Sequence, residues 1–325
     1  MGGWSVLTVA EAAAKFASLR EQMNRVIIGQ DRVKEQVLVC LLAGGHTLLE
    51  GVPGTGKTLL ALTLSRLLGC GFNRIQFTPD LMPSDIMGTN VFNPKTQDFD
   101  FHAGPIFTDF LLADEINRTP PKTQSALLEA MQEKAATIDG LRHNISPVFT
   151  VFATQNPVEF EGTYPLPEAQ RDRFLMKITI DCPTAEDELV ILDNYVRGNR
   201  LHDVAINELG ACMTADDLLA CRRTATKLVK VESNLLGYIQ KIVAATRQDD
   251  AVQIGAGPRA SLGLLDSGRA LAILRGRDFI TPDDIKEMAL PVLIHRVTLS
   301  PESEMEGTTL NDVLKRLFEK IEVPR

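Results

Sequence analysis

The octapeptide GVPGTGKT at 51–58 restricts the fold more than any other part of this chain. It follows the apolar run HTLLE and precedes the helix-periodic LLALTLSRLL. The spacing G-x-x-x-x-G-K-[ST] needs a strand, a tight glycine turn and a helix in immediate succession. Glycines let successive backbone N–H groups turn inward onto phosphate oxygens, and the helix N-terminus adds partial positive charge. Gly51, Pro53, Gly54, Thr55, Gly56 and Leu59 then shape the cradle. Lys57 reaches the β- and γ-phosphates, and Thr58 ligates Mg2+. A plain glycine-rich turn is the blander reading, and the flanking strand and helix patterns argue against it.

One such unit cannot bury both its faces alone, so the neighbouring pattern matters. Short apolar runs recur at 73–78, 107–115, 149–156 and 173–180, with helical patterns between them at 57–68 and 120–134. Strand and helix alternating in this way predict an α/β fold, a parallel sheet flanked by helices. Beyond residue 184 the strand patterns stop, and helical ones continue to 320. We therefore expect an N-terminal helix over 1–25, an α/β core over 26–182 and an all-α lid over 183–325.

Phosphate chemistry needs a metal partner and a water activator. The run DFLLADEINR supplies two carboxylates, Asp114 and Glu115, at the end of a buried strand. Strand C-termini line the ligand crevice in such sheets. Asp114 would hold Mg2+, and Glu115 would orient the attacking water. The next buried strand ends in VFATQNP, where Asn156 can reach the γ-phosphate or the water. Gln155 is the weaker candidate, and Asn156 could also merely open the turn at Pro157. In PEAQRDRFLM, Arg171 and Arg173 flank Asp172. Either guanidinium could be surface charge or await an anion.

Composition removes several classes of function. A formal net charge of -8 argues against broad binding to a nucleic-acid backbone. No apolar run is long enough to span a bilayer, and the N-terminus lacks the order of a secretory signal. Five scattered cysteines form no C-x-x-C pair, which disfavours structural zinc and fits a reducing cytoplasm.

Three longer segments resemble the MoxR family of AAA+ ATPases, near the magnesium-chelatase subunits of the helix-2-insert clade. They are DEINRTPPKTQSALLEAMQE (114–133), ATQNPVEFEGTYPLPEAQRDRF (153–174) and GAGPRASLGLLDSGRALAILRGRDFITPDDI (255–285). The resemblance implies an AAA+ core with a helical lid, ATP and Mg2+ as ligands, and a ring of copies, usually six. It makes Asn156 the sensor 1 residue and Arg173 the arginine finger, entering the site of a neighbouring copy. It makes Arg259 the sensor 2 residue, contacting nucleotide in its own chain, and places Ile28, Gly29 and Gln30 near adenine. The family has an aliphatic residue where this chain has Arg171. The resemblance also implies partners with a von Willebrand factor A domain, and a client protein that is remodelled, activated or fitted with a metal or cofactor. A nucleic-acid-directed motor and a nucleotide-gated scaffold are the competing readings. Acidic charge weighs against the first, and the intact Lys57, Asp114, Glu115 and Arg173 against the second.

Two β-hairpin inserts are expected, at 83–107 and at 136–149, the second turning at Asp139-Gly140. Phe99 and Phe101 read as hairpin packing or as client contacts. His102 and His143 read as surface residues, and CRRTATKLVKVE (221–232) as a solvated helix face.

Overall fold

The computed structural model describes residues 6–156, 163–197 and 209–324. Five parallel strands make the central sheet: β1 (Thr47–Glu50), β2 (Phe72–Gln76), β5 (Phe110–Asp114), β8 (Thr150–Gln155) and β9 (Met176–Thr179). Their order is β2-β5-β8-β1-β9. Register pairs Gln76 with Asp114, Ala113 with Ala153, and Glu50 with Gln155. The polar strand ends are thereby gathered along one edge.

Both faces of this sheet are buried. Phe110, Leu112 and Phe152 enter one apolar cluster, while Leu111, Ala113, Val151 and Ala153 enter the other. A strand covered on both sides has no polar face, which is why the sequence shows unbroken apolar runs. The first cluster continues without a break into the C-terminal helices through Leu218, Leu264, Met288 and Leu314. The second is closed by Leu127, Leu128 and Met131 of helix Pro121–Glu133.

The first helix, Val9–Val26, starts at a reciprocal cap. Glu11 N–H donates to Thr8 Oγ1 at 3.2 Å, and Thr8 N–H to Glu11 Oε2 at 2.8 Å. Ala12, Phe16, Leu19 and Met23 form its buried stripe. The stripe packs against helix Asp31–Ala43, the P-loop helix Lys57–Leu67 and lid helix Pro258–Leu274. Four later helices repeat the threonine cap: Thr184, Thr214, Thr281 and Thr309 each accept the N–H of an Asp three residues on.

The lid is helical, as expected, with one small exception. Val252–Ile254 pairs antiparallel with Thr298–Leu299. Strands of three and two residues are too short to show a period-two pattern. The helical pattern expected beyond residue 184 opens with helix Ala185–Val196.

Both hairpins form. β3 (Gly88–Asn93) pairs with β4 (Asp98–Ala103), and β6 (Ala135–Ile138) with β7 (Leu141–Asn144), with Asp139 at φ 49° and Gly140 at φ 80° in the second turn. Phe101 packs between them, stacked on His143 at 4.1 Å and edge-on to Phe107 at 5.4 Å. His143 is therefore a packing residue, not the surface residue expected; a tertiary aromatic partner was invisible in sequence. Phe99 instead lies 64% exposed, against Phe92 at 5.4 Å.

Segment 221–232 also departs from expectation. Arg222 is turned inward, donating to Leu41 O at 3.0 Å and Thr150 Oγ1 at 3.3 Å, and burial lowers its guanidinium to about 10. Cys221 and Thr224 beside it are buried, so only part of this helix face is solvated.

Candidate active site

The P-loop leaves β1 at Gly51. A Cβ there would meet Ile180 O at 2.4 Å, so the absence of a side chain lets the loop pass close to β9's end. Gly54 and Gly56 adopt φ 84° and 88°, the left-handed region that glycine enters freely. A Cβ on either would meet nothing within 4 Å, so these glycines face open space rather than packed protein. Helix Lys57–Leu67 begins immediately after, with Gly56 as its N-cap.

A cleft of about 260 Å³ opens over the loop. Pro53, Gly54, Thr55, Gly56, Lys57, Thr58 and Leu59 form one wall. Arg74, Asp114, Glu115, Thr154, Gln155 and Asn156 form the other. Sequence motifs separated by about a hundred residues thus meet at one edge, because β5 and β8 are adjacent and end together. The turn weighed at Pro157, and residues 157–162 of segment 153–174, lie outside the described residues.

Lys57 Nζ donates to Gly51 O at 2.6 Å and to Val52 O at 2.9 Å. Burial lowers its pKa, against the opposite pull of Asp114 and Glu115. Asp114 is held at both oxygens: Thr154 Oγ1 donates to Oδ1 at 2.6 Å and Arg74 Nη2 to Oδ2 at 2.6 Å. Glu115 has φ 57° and ψ 48°, a left-handed conformation uncommon outside glycine. Its N–H donates to Thr154 Oγ1 at 2.8 Å, which anchors the turn. Its Oε2 receives Gln76 Nε2 at 2.8 Å and Arg118 Nε at 3.2 Å. Strained backbone at a strand-end acid is a recurrent mark of functional sites.

Gln30, also left-handed at φ 55°, donates from Nε2 to Thr55 O at 3.2 Å, so segment 28–30 lies against the P-loop. At Gly29 a Cβ would sit 2.1 Å from Asp187 Oδ2. Glycine there lets the first helix after the core approach the same segment.

The two arginines assigned to the phosphates sit elsewhere in the chain. Arg173 lines a different cleft, with Glu129, Gln132 and Arg142, and donates to Leu128 O at 2.6 Å. The resemblance expects Arg259 at the nucleotide of its own chain. Here Arg259 meets Asp172 Oδ2 at 3.7 Å and Gln132 Oε1 at 3.4 Å, and does not line the P-loop cleft. The lid packs so that helix Pro258–Leu274 presents its first turn to the Arg173 side.

The open cradle, the lysine and the paired carboxylates fit a nucleoside triphosphate. Thr58 and Asp114 offer the hard oxygen donors that Mg2+ takes, and one or two protein carboxylates suffice when phosphates complete the shell.

Comparison with known proteins agrees with this geometry. Residues 46–176 match AAA_3, the ATPase family associated with various cellular activities, and residues 244–317 match an AAA lid domain. The chaperone MoxR1 of Mycobacterium tuberculosis is 43% identical over 313 residues, covering 94% of this chain and 81% of that protein. This chain belongs to the MoxR family of AAA+ ATPases. The MoxR protein of Methylorubrum extorquens is 30% identical over 97% of this chain and 96% of its own length. A crystal structure from Cytophaga hutchinsonii, provisionally named an ATPase, superposes with a TM-score of 0.88 at 38% identity, covering 98% of this chain and 97% of that one. Among the described residues of this MoxR protein, no helix is long and apolar enough to cross a membrane.

Sequence reasoning missed Arg74, Gln76 and Thr154, which hold Asp114 and Glu115, and Arg296, which holds segment 172–175 outside the cleft. Arg74 and Gln76 carried a faint signal, two polar residues at alternate positions of the predicted strand NRIQFT. Arg296 carried none. It is a lid residue, 4% exposed, that donates Nε to Asp172 Oδ1 at 2.8 Å, Nη2 to Phe174 O at 2.6 Å and Nη1 to Leu175 O at 3.0 Å.

Proposed function

We propose that this MoxR-family chain hydrolyses ATP and uses the cycle to remodel or activate a client protein. The observation that carries the reading is the convergence of the P-loop, Asp114, Glu115 and Asn156 on one cleft. Lys57 and the loop's backbone N–H groups bind and orient the phosphates. Glu115 orients and polarises the attacking water, and Asn156 steadies it or the terminal phosphate. Thr58 and Asp114 would hold Mg2+, which would supply neutralisation of phosphate charge.

Among the described residues that line the cleft the one arginine is Arg74, and it is bonded to Asp114. Arg173 and Arg259 both lie outside the P-loop cleft and close to Asp172. We assign both to the nucleotide of a neighbouring copy, in a ring that family membership suggests is hexameric. Arg171, half-buried here, has no phosphate role in this reading and is left to an ion pair, within the chain or between copies. The same membership supports a von Willebrand factor A domain partner between ring and client. All five cysteines are free thiols, which suits a reducing cytoplasm.

The test is light scattering and ATP turnover for wild type and Glu115→Gln, with and without Mg-ATP. The variant should assemble with ATP while turnover falls by roughly 10²–10³. Retained turnover in Glu115→Gln, or wild-type turnover per chain that ignores protein concentration, contradicts the assignment.

A further inference from the structure

Arg74 belongs to none of the phosphate-binding motifs, yet it lines the nucleotide cleft. It stands on β2, the edge strand, whose register sets Gln76 beside Asp114. Arg74 and Gln76 are two residues apart, so they share one face of the strand. The Arg74 guanidinium reaches Asp114 Oδ2 at 2.6 Å and also Gln76 Oε1 at 3.2 Å. The other carboxylate oxygen of Asp114 is already taken by Thr154 at 2.6 Å. Lys57 is not the partner of Asp114 here; its Nζ is bonded to Gly51 O and Val52 O.

The free oxygen of the metal-holding carboxylate is therefore occupied by a cation supplied by the protein. A divalent cation and a guanidinium on the same carboxylate oxygen repel one another, and each takes lone pairs the other needs. Arg74 is free to yield. Its side chain is 49% exposed against 14% for Asp114, and Gln76 Oε1 gives it a second acceptor without leaving the cleft.

We propose that Arg74 is the resident counter-ion of Asp114 and is exchanged there for the divalent metal, so that Arg74 sets how readily the site takes metal before nucleotide. The inference rests on the assignment of Asp114 as metal-holding within the ATPase reading. In the exchanged state Arg74 stays on the cleft wall, beside Gln76, where it adds positive charge facing the phosphates.

The experiment uses Mn2+ alone as the probe, with free Mn2+ followed by electron paramagnetic resonance and no nucleotide present. Arg74→Gln removes the charge and keeps a polar side chain; it should bind Mn2+ about tenfold tighter than wild type. Arg74→Lys keeps the charge and should stay near wild type. Adding Asp114→Asn to Arg74→Gln should abolish the gain. Thermal melts establish that each variant is folded, and Arg74→Ala replaces Arg74→Gln if that one is not. Equal Mn2+ affinity in wild type and Arg74→Gln overturns the proposal, as does a gain that survives Asp114→Asn. ATP turnover of the wild type, measured alongside, separates the two ideas. A tighter Mn2+ site with no turnover supports the counter-ion and sinks the ATPase reading; turnover without the Mn2+ gain does the reverse.

Discussion

Around the P-loop, backbone places nearly everything. Glycine dihedrals at Gly54 and Gly56 shape the loop, and the parallel register of β5 and β8 brings Asp114 and Thr154 together. Around Arg173, by contrast, side chains from the lid set the geometry. Arg296 reaches across to Asp172, Phe174 and Leu175, and Arg259 meets the other oxygen of Asp172. The first region is rigid by local construction. The second is held by ion pairs between the core and the helical lid. Under the proposed function, the residues assigned to a neighbouring copy sit on or beside the segment that the lid holds, while the phosphate cradle belongs to the core alone.

The sharpest way to break this contrast is to separate the two regions between molecules. Arg173→Ala alone should lower turnover by roughly 10³–10⁵. Lys57→Ala should also be inactive. Mixing the two inactive proteins should restore measurable turnover, because some interfaces then pair an intact P-loop with an intact arginine. A mixture as inactive as its components would place Arg173 and the P-loop in one catalytic unit and dissolve the distinction.

Arg296→Met probes whether the lid truly holds the arginine region. It leaves Asp172 without its best partner and should cost about 3 kcal/mol in urea unfolding. It should also reduce turnover without changing nucleotide binding by the P-loop. Unchanged stability would show that core packing alone positions segment 172–175.

His46 sharpens the comparison from the side of the core. Val151 N–H donates to its Nδ1 at 3.0 Å, so Nε2 carries the proton and donates to Met131 O at 3.2 Å. Burial lowers its pKa to about 4. The unfolded chain binds a proton near pH 6.5 that the folded chain refuses, so stability present above that pH is lost as pH falls toward 4. The loss from this residue should reach about 3 kcal/mol, and His46→Gln should flatten that part of a stability-against-pH curve. A curve as steep in the variant would assign the loss to other groups.

The smallest effects are expected at the hairpins. Phe101→Ala removes the stack on His143 and should cost about 1–2 kcal/mol. Phe99→Ala should change stability by no more than about 0.5 kcal/mol, its ring being mostly in solvent. Chemical unfolding of both variants measures the difference, and equal costs would mean that Phe99 is buried in the assembled protein in solution.

What the sequence determined by itself is whatever short-range chemistry can encode. The glycines of the P-loop, the apolar strands ending in Asp114-Glu115 and in Asn156, and the threonine caps of the lid helices all act within a few residues. Their spacing was enough to predict the parallel sheet, the hairpins and, within the cleft, the P-loop with Asp114, Glu115 and Asn156. Tertiary structure alone decided the rest. Thr154 holds both Asp114 and Glu115 because neighbouring strands end in register. Arg74 faces Asp114 across 40 residues, Arg296 faces Asp172 across 124, and Arg259 turns away from its own P-loop cleft. An arginine in a sequence looks the same whether it meets water, a carboxylate or a phosphate; only the packing of lid on core, and of strand on strand, selects among them.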